Sequence, residues 1–168
     1  RIELIGLHCS CIRCREYGHR LRDGWTIGEP WLTRLDYETL GGKEIFLSYE
    51  DDNETLFGLL RLRVNAKKAI VRELHVFGPE VPLGGKSERA AQHHGLGENL
   101  LREAERIAAE EFKADALSVL SGIGAREYYR SLGYRLEGTH MVREFAKLPE
   151  SGRRHYPAIH PERSGRVS

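Results

Sequence analysis

Apolar and polar positions along the chain change period several times, and each change marks an element. Between residues 97 and 112, Leu100, Leu101, Ala104, Ile107, Ala108 and Phe112 recur at helical spacing with Arg and Glu opposite, which predicts an amphipathic helix. Residues 44–50 are rich in aromatic and aliphatic side chains, residues 51–54 carry turn chemistry, and residues 55–64 return as a second strand. That pattern predicts a hairpin. A third strand is expected over residues 69–76, where Ile70, Glu73 and His75 break a clean alternation and so allow a bulge. Residues 115–120 form a short apolar strand, residues 125–132 a short helix, and residues 133–136 and 140–145 a closing strand pair. Pro30 suits the first turn of a helix bearing Leu32, Leu35 and Leu40 and ending at Gly41-Gly42. The order predicts an α/β (α+β) fold, a mixed central sheet with helices on both faces.

Composition narrows the setting. With 168 residues there is room for one domain plus an appendage. The hydrophobic share is 40% and the charged share 30%, ordinary for a globular domain. No apolar run approaches the roughly 20 residues that span a bilayer, so no membrane association is expected. There is no signal-peptide pattern, which favours a cytoplasmic setting, and the opening at Arg1 suggests a piece of something longer. The net charge of +1 conceals a distribution: residues 1–22 carry five Arg against Glu3 and Glu16, residues 143–168 six Lys/Arg against three Glu, and the middle is acidic. Three parts are expected: a Cys-bearing linker (1–24), the main domain (25–148) and a basic, poorly ordered tail (149–168).

Two segments carry candidate chemistry. In the linker, Cys9, Cys11 and Cys14 supply enough thiolates for a structural zinc, with His8, His19 or a residue elsewhere as fourth ligand; the alternative is three reduced cysteines. The second segment is Gln92-His93-His94-Gly95-Leu96-Gly97-Glu98-Asn99, between the third strand and the long helix. Glycines at a helix entry leave backbone N–H groups pointing outward, and with the helix dipole these can cradle a pyrophosphate. The plainer reading is that Gly95 and Gly97 only shape the entry. Downstream, Tyr128 precedes the spacing Tyr129-x-x-Leu132-Gly133-Tyr134.

Together Gln-x-x-Gly-x-Gly and Tyr-x-x-Leu-Gly-Tyr resemble the GNAT acetyltransferase superfamily over roughly residues 44–145. Longer strings are similar to the Elongator catalytic-subunit family: Phe46 to Asp51, Gly58 to Arg63, Arg72 to Val76, Gln92 to Gly97, Glu103 to Ala108, Tyr128-Tyr129-Arg130, and Cys11 to Glu16 in the linker. That family joins a radical-SAM domain to an acetyltransferase-like domain and modifies C5 of the tRNA wobble uridine, with acetyl-CoA as carbon donor. The Cys-x-x-x-Cys-x-x-Cys triplet of an iron–sulfur cluster is absent from this sequence. The resemblance therefore implies the acetyl-CoA module, with S-adenosylmethionine and the cluster belonging to a separate N-terminal domain.

It further implies that backbone N–H groups of His93, His94, Gly95, Leu96 and Gly97, with Asn99, hold the pyrophosphate. Gln92 belongs to the same motif. The pantetheine arm would lie between splayed strands, Leu74-His75-Val76 and Val119-Leu120-Ser121. Tyr129 would protonate the leaving sulfur, with Tyr128 able to share that role and one of the pair packing in the core. Glu73 and His75 lie where an amine base would be needed, although Glu73 can equally pair with an Arg. The loop at 78–91, with Lys86, would close over the cleft or remain a plain linker. Implied partners are tRNA, the radical-SAM domain, other Elongator subunits or a homodimer mate, and the resemblance implies zinc in the linker. A protein-lysine or small-amine N-acetyltransferase is the alternative, and a non-catalytic tRNA-binding module the third.

Overall fold

The computed structural model describes residues 9–78 and 95–145. Gln92, His93, His94, His8, the loop with Lys86 and the basic tail lie outside the described residues.

Two short helices, α1 (Ile12–Arg15) and α2 (Tyr17–Arg22), precede the sheet strands β1 (Trp31–Thr39), β2 (Gly42–Glu50), β3 (Leu56–Asn65) and β4 (Lys68–Val76). Helix α3 (Leu96–Arg106) continues as a π-helical turn, Ile107–Glu111, into β5 (Ala116–Leu120). A 3-10 turn, Ile123–Ala125, leads to α4 (Arg126–Ser131), and β6 (Arg135–Glu137) and β7 (His140–Glu144) close the fold. The seven strands are ordered β1-β2-β3-β4-β5-β7-β6. Of the pairings, β4–β5 is parallel and the others antiparallel. A parallel neighbour requires a crossover, and α3 lies within that connection.

The core has one dominant layer. Ile45, Leu47, Leu60, Leu62 and Val71 from the sheet meet Leu100, Leu101, Ala104, Ile107 and Ala108, the apolar stripe read from the sequence. A smaller cluster of Tyr17, Phe57 and Leu96 ties α2 to β3 and to the first turn of α3. Arg15 adds an ion pair to Glu50 and donates to the Glu54 carbonyl at 2.9 Å. No helix among the described residues is long and apolar enough to cross a membrane.

One expected element is wrong. Residues 31–39 form a strand, not a helix, pairing with β2 from Trp31↔Glu50 to Thr39↔Gly42. Leu32, Leu35 and Leu40 have helical spacing, but Trp31, Thr33, Leu35 and Tyr37 alternate, and pairing with β2 satisfies the backbone of that edge. Gly41 sits at φ 76° in the two-residue turn. At Gly42 a Cβ would lie 2.4 Å from the Val64 carbonyl oxygen, so the glycine pair marks a hairpin rather than a helix stop.

The expected bulge is present. Arg61 pairs with Glu73 while Leu62 pairs with Val71, leaving Arg72 as the extra residue of β4. On the sheet face away from α3, Glu44 is buried and receives hydrogen bonds from Arg72 at 2.6 Å, Arg61 at 3.1 Å and Tyr37 at 3.1 Å. Burial alone would raise this carboxyl, but bonds from Arg61, Arg72 and Tyr37 outweigh it and hold its pKa at about 2.

Candidate functional site

Strand β4 is paired with β5 over four rungs, from Lys68↔Ala116 to Val71↔Val119, and the register ends where the bulge begins. Beyond it a cleft of about 270 Å³ opens, with Leu74 and His75 on one wall and Val119, Leu120 and Ser121 on the other. Val71, Arg72, Glu73, Gly122, Ala125 and Tyr129 complete its lining. A chain inserted here meets backbone groups that pairing among the described strands leaves free.

The first turn of α3 faces the end of β4. Gly95 caps the helix at φ 94°, a left-handed conformation that favours glycine. The Asn99 N–H is not available as expected: it donates to the Gly95 carbonyl at 2.8 Å. That bond is the first within the helix, so the outward donors are those before it, on Gly95, Leu96, Gly97 and Glu98. At Gly97 a Cβ would stand 3.2 Å from Val76 Cγ2 and 3.3 Å from the Tyr128 hydroxyl. Glycine keeps this approach close without displacing either neighbour.

The tyrosine motif has a geometric cause. Helix α4 ends in a Schellman turn: Tyr134 N–H donates to the Tyr129 carbonyl at 3.0 Å and Gly133 N–H to Arg130 at 3.0 Å, with Gly133 at φ 87°. The turn folds the Tyr134 ring back on Tyr129, centroids 5.8 Å apart, and Tyr128 stands edge-on to Tyr129 at 5.3 Å. Tyr134 donates to Glu105 of α3 at 2.7 Å, and Arg143 of β7 donates to the same carboxylate at 3.0 Å. Tyr129 is buried and lines the cleft, whereas Tyr128 is 41% exposed with its hydroxyl at the helix entry. Burial raises the pKa of both phenols, so both stay protonated and able to donate.

Glu73 is engaged on both sides. Its carboxylate lies 3.4 Å from Arg61 and 3.3 Å from His75 Nε2, and the His75 ring stacks on Phe77. In the linker the thiols of Cys9, Cys11 and Cys14 lie within 4.8 Å of one another, all exposed and none in a disulfide. Their mutual hydrogen bonding splits the titration: Cys11 falls to about 7, chiefly through the Cys14 backbone, and Cys14 rises to about 11 through the Cys11 thiol. Three exposed sulfurs this close together can share one ion, a donor set that fits zinc. His19 stands outside this cluster, its Nδ1 2.9 Å from Arg22.

A splayed parallel pair beside a glycine-opened helix is the geometry that the sequence resemblance implies. A sequence model of the acetyltransferase (GNAT) family matches residues 12–134. The chain belongs to the GNAT acetyltransferase family. The GNAT fold implies acetyl-CoA binding, and the cleft, Gly95 and Gly97 fit that ligand. Among relatives, the protein named tRNA uridine(34) acetyltransferase of Dehalococcoides mccartyi is 57% identical over 147 residues, 80% of this chain and 32% of that one. Elongator complex protein 3 of Mus musculus is 43% identical over 159 residues, covering 85% and 28% respectively. Among solved structures, Elp3 of Methanocaldococcus infernus with an N-terminal deletion matches at TM-score 0.71 and 45% identity, over 83% of this chain and 36% of that one. This GNAT domain thus spans about a third of the length of the relatives it matches.

Within this GNAT domain, Leu74, His75, Val76, Gly95, Leu96, Gly97, Tyr128 and Tyr129 converge on one end of the sheet. Cys9, Cys11 and Cys14 form a separate cluster. Gly122 and Ala125 in the cleft, and Glu105 behind Tyr134, were not singled out from the sequence. Glu105 and Ala125 lie within stretches read from the sequence but were given no role there, and no motif marks Gly122; they are placed by the turn after β5 and by the face of α3.

Proposed function

We propose that this chain is the acetyl-CoA-binding, thioester-hydrolysing module of an enzyme that modifies C5 of the tRNA wobble uridine. The observation that carries the reading is the 57% identity, over 80% of the chain, to a protein named tRNA uridine(34) acetyltransferase. Acetyl-CoA, when bound, supplies an electrophilic thioester carbon and a thiol leaving group. The N–H groups of Gly95, Leu96, Gly97 and Glu98, with the dipole of α3, bind the pyrophosphate. The apolar walls of Leu74, Val119 and Leu120 orient the pantetheine arm. Tyr129 holds a proton at its hydroxyl for the departing sulfur, and Tyr128, at the helix entry, steadies the ligand or shares the donation.

An N-acetyltransferase would also need a base for the amine. Glu73, paired with both Arg61 and His75, is poorly placed to act alone, which supports tRNA-coupled thioester hydrolysis over lysine acetylation. The radical-SAM chemistry, its S-adenosylmethionine and its iron–sulfur cluster belong to a further domain of the polypeptide. Cys9, Cys11 and Cys14 would hold a structural zinc. Exposed thiols suit the cytoplasm, where they remain reduced. The test is release of free CoA from labelled acetyl-CoA by the full-length protein, with and without tRNA and with a histone peptide. tRNA-stimulated release without label on the peptide is expected. Transfer of label to the peptide independently of tRNA would establish the alternative.

A further inference from the structure

Helix α2 carries a charge with no counter-charge among the described residues. Arg20 is only 7% exposed, and its Nε and Nη1 are buried without a hydrogen-bond partner among the described residues. Its guanidinium rests instead on the Trp25 ring, Cζ 3.8 Å from the centroid. The local sequence explains the stacking. Helix α2 ends in a Schellman turn, with Trp25 N–H donating to the Arg20 carbonyl at 3.0 Å, Gly24 N–H to Leu21 at 3.3 Å, and Gly24 at φ 78°. That turn brings the residue after the glycine against the residue three from the helix end, here an indole under a guanidinium.

A cation–π contact offsets part of the cost of burying a guanidinium, but donors left unbonded away from water remain destabilising. No carboxylate among the described residues forms an ion pair with it. Glu16, four residues earlier, lies toward Gly18, where a Cβ would be 3.7 Å from its Oε1. The surroundings are cationic: within residues 12–22, Arg13, Arg15, Arg20 and Arg22 face Glu16 alone. Arg13 and Arg22 are exposed, whereas Arg15 is spent on Glu50. The position is also pertinent. Tyr17, one turn before Arg20 on the same helix, packs with Phe57 and with Leu96 at the entry to α3.

We propose that Arg20, held on Trp25, is a phosphate-binding arginine that turns outward onto a backbone phosphate of an RNA substrate, with Arg13 and Arg22 flanking it. This rests on the reading that the substrate is tRNA. A polyanion suits the site better than a single carboxylate, because the surrounding charge is positive over two consecutive helices. The unbonded donors make the stacked arrangement a poor resting place, so leaving it costs little. Arg is suited to both states, since its plane stacks on an indole and its fork matches phosphate oxygens.

The test uses the full chain and unfractionated tRNA, with CoA as a second phosphate source. Arg20→Gln is expected to weaken tRNA binding about tenfold near 0.1 M salt and to lower the slope of log affinity against log salt by about one, leaving CoA affinity unchanged. Arg20→Met is expected to keep or raise the melting temperature, because an unpaired buried charge is removed. In a Trp31→Phe background Trp25 is the sole tryptophan, and its emission should change on tRNA addition and stop changing once Arg20→Gln is added. tRNA binding with the same affinity and slope in Arg20→Gln overturns the proposal alone. So does a loss confined to CoA, or a lowered melting temperature in Arg20→Met with tRNA binding intact. Absence of any tRNA binding by the unaltered chain overturns this proposal together with the RNA reading on which it rests.

Discussion

At Gly97 a side chain would be tight against its neighbours, and the backbone carries no strain. Its missing Cβ lets Val76 and the Tyr128 hydroxyl close on the first turn of α3. Both neighbours are side-chain ends that can give by a few tenths of an ångström, and alanine is worth about 1 kcal/mol more than glycine inside a helix. Gly97→Ala should therefore keep or raise the melting temperature while weakening acetyl-CoA affinity about tenfold. Calorimetric titration beside a thermal melt checks both. Tyr129→Phe removes a hydroxyl and leaves a ring. Free-CoA release should fall about 100-fold, the lower end of what general acids supply, with acetyl-CoA affinity retained. An unchanged rate would shift the donation to Tyr128. Glu105 and Arg143 act one step behind, since Tyr134 braces the Tyr129 ring through its bond to Glu105.

Several elements were legible in the sequence because one local rule decided each. The stripe of Leu100, Leu101, Ala104, Ile107 and Ala108 has one helical reading, and the turn residues at 51–54 have one hairpin reading. Tyr129-x-x-Leu132-Gly133-Tyr134 was visible as a spacing; the structure supplies its cause, a Schellman turn. Residues 31–39 were illegible because leucines at helical spacing coincide with an alternating strand, and the edge of a long sheet decides between them. The Glu44 cluster was hidden for the same reason: Arg61, Arg63 and Arg72 come from two strands and meet only through register and the bulge. Its consequence is a pH dependence. Glu44 titrates at about 2 when folded against 4.5 ordinarily, so its contribution is full above about pH 5 and disappears as the pH falls toward 2. Glu44→Gln should cost about 2 kcal/mol at neutral pH, since it replaces charge-assisted bonds from Arg61, Arg63 and Arg72 with weaker neutral ones, and should flatten stability between pH 5 and 2 in denaturant titrations.

For the molecule as a whole, near-neutrality is a cancellation of basic ends against an acidic middle, and the two readable sites divide along that line. The cleft and the entry to α3 belong to the GNAT body, whereas the cysteines and Arg20 belong to the segment before β1. Zinc should bind at one equivalent per chain. Cys11→Ser should remove it, and a chelator should lower the melting temperature of the metal-loaded chain without affecting Cys11→Ser. The cleft itself was expected from the resemblance, but its position followed from the bulge at Arg72, which ends the β4–β5 register after Val71 and Val119. The most direct measurement is calorimetric titration of acetyl-CoA into this chain and into Gly97→Trp. One site per chain is predicted, abolished in Gly97→Trp while its fold persists by circular dichroism. No binding by the unaltered chain, with or without tRNA, or equal binding by folded Gly97→Trp, would contradict the account.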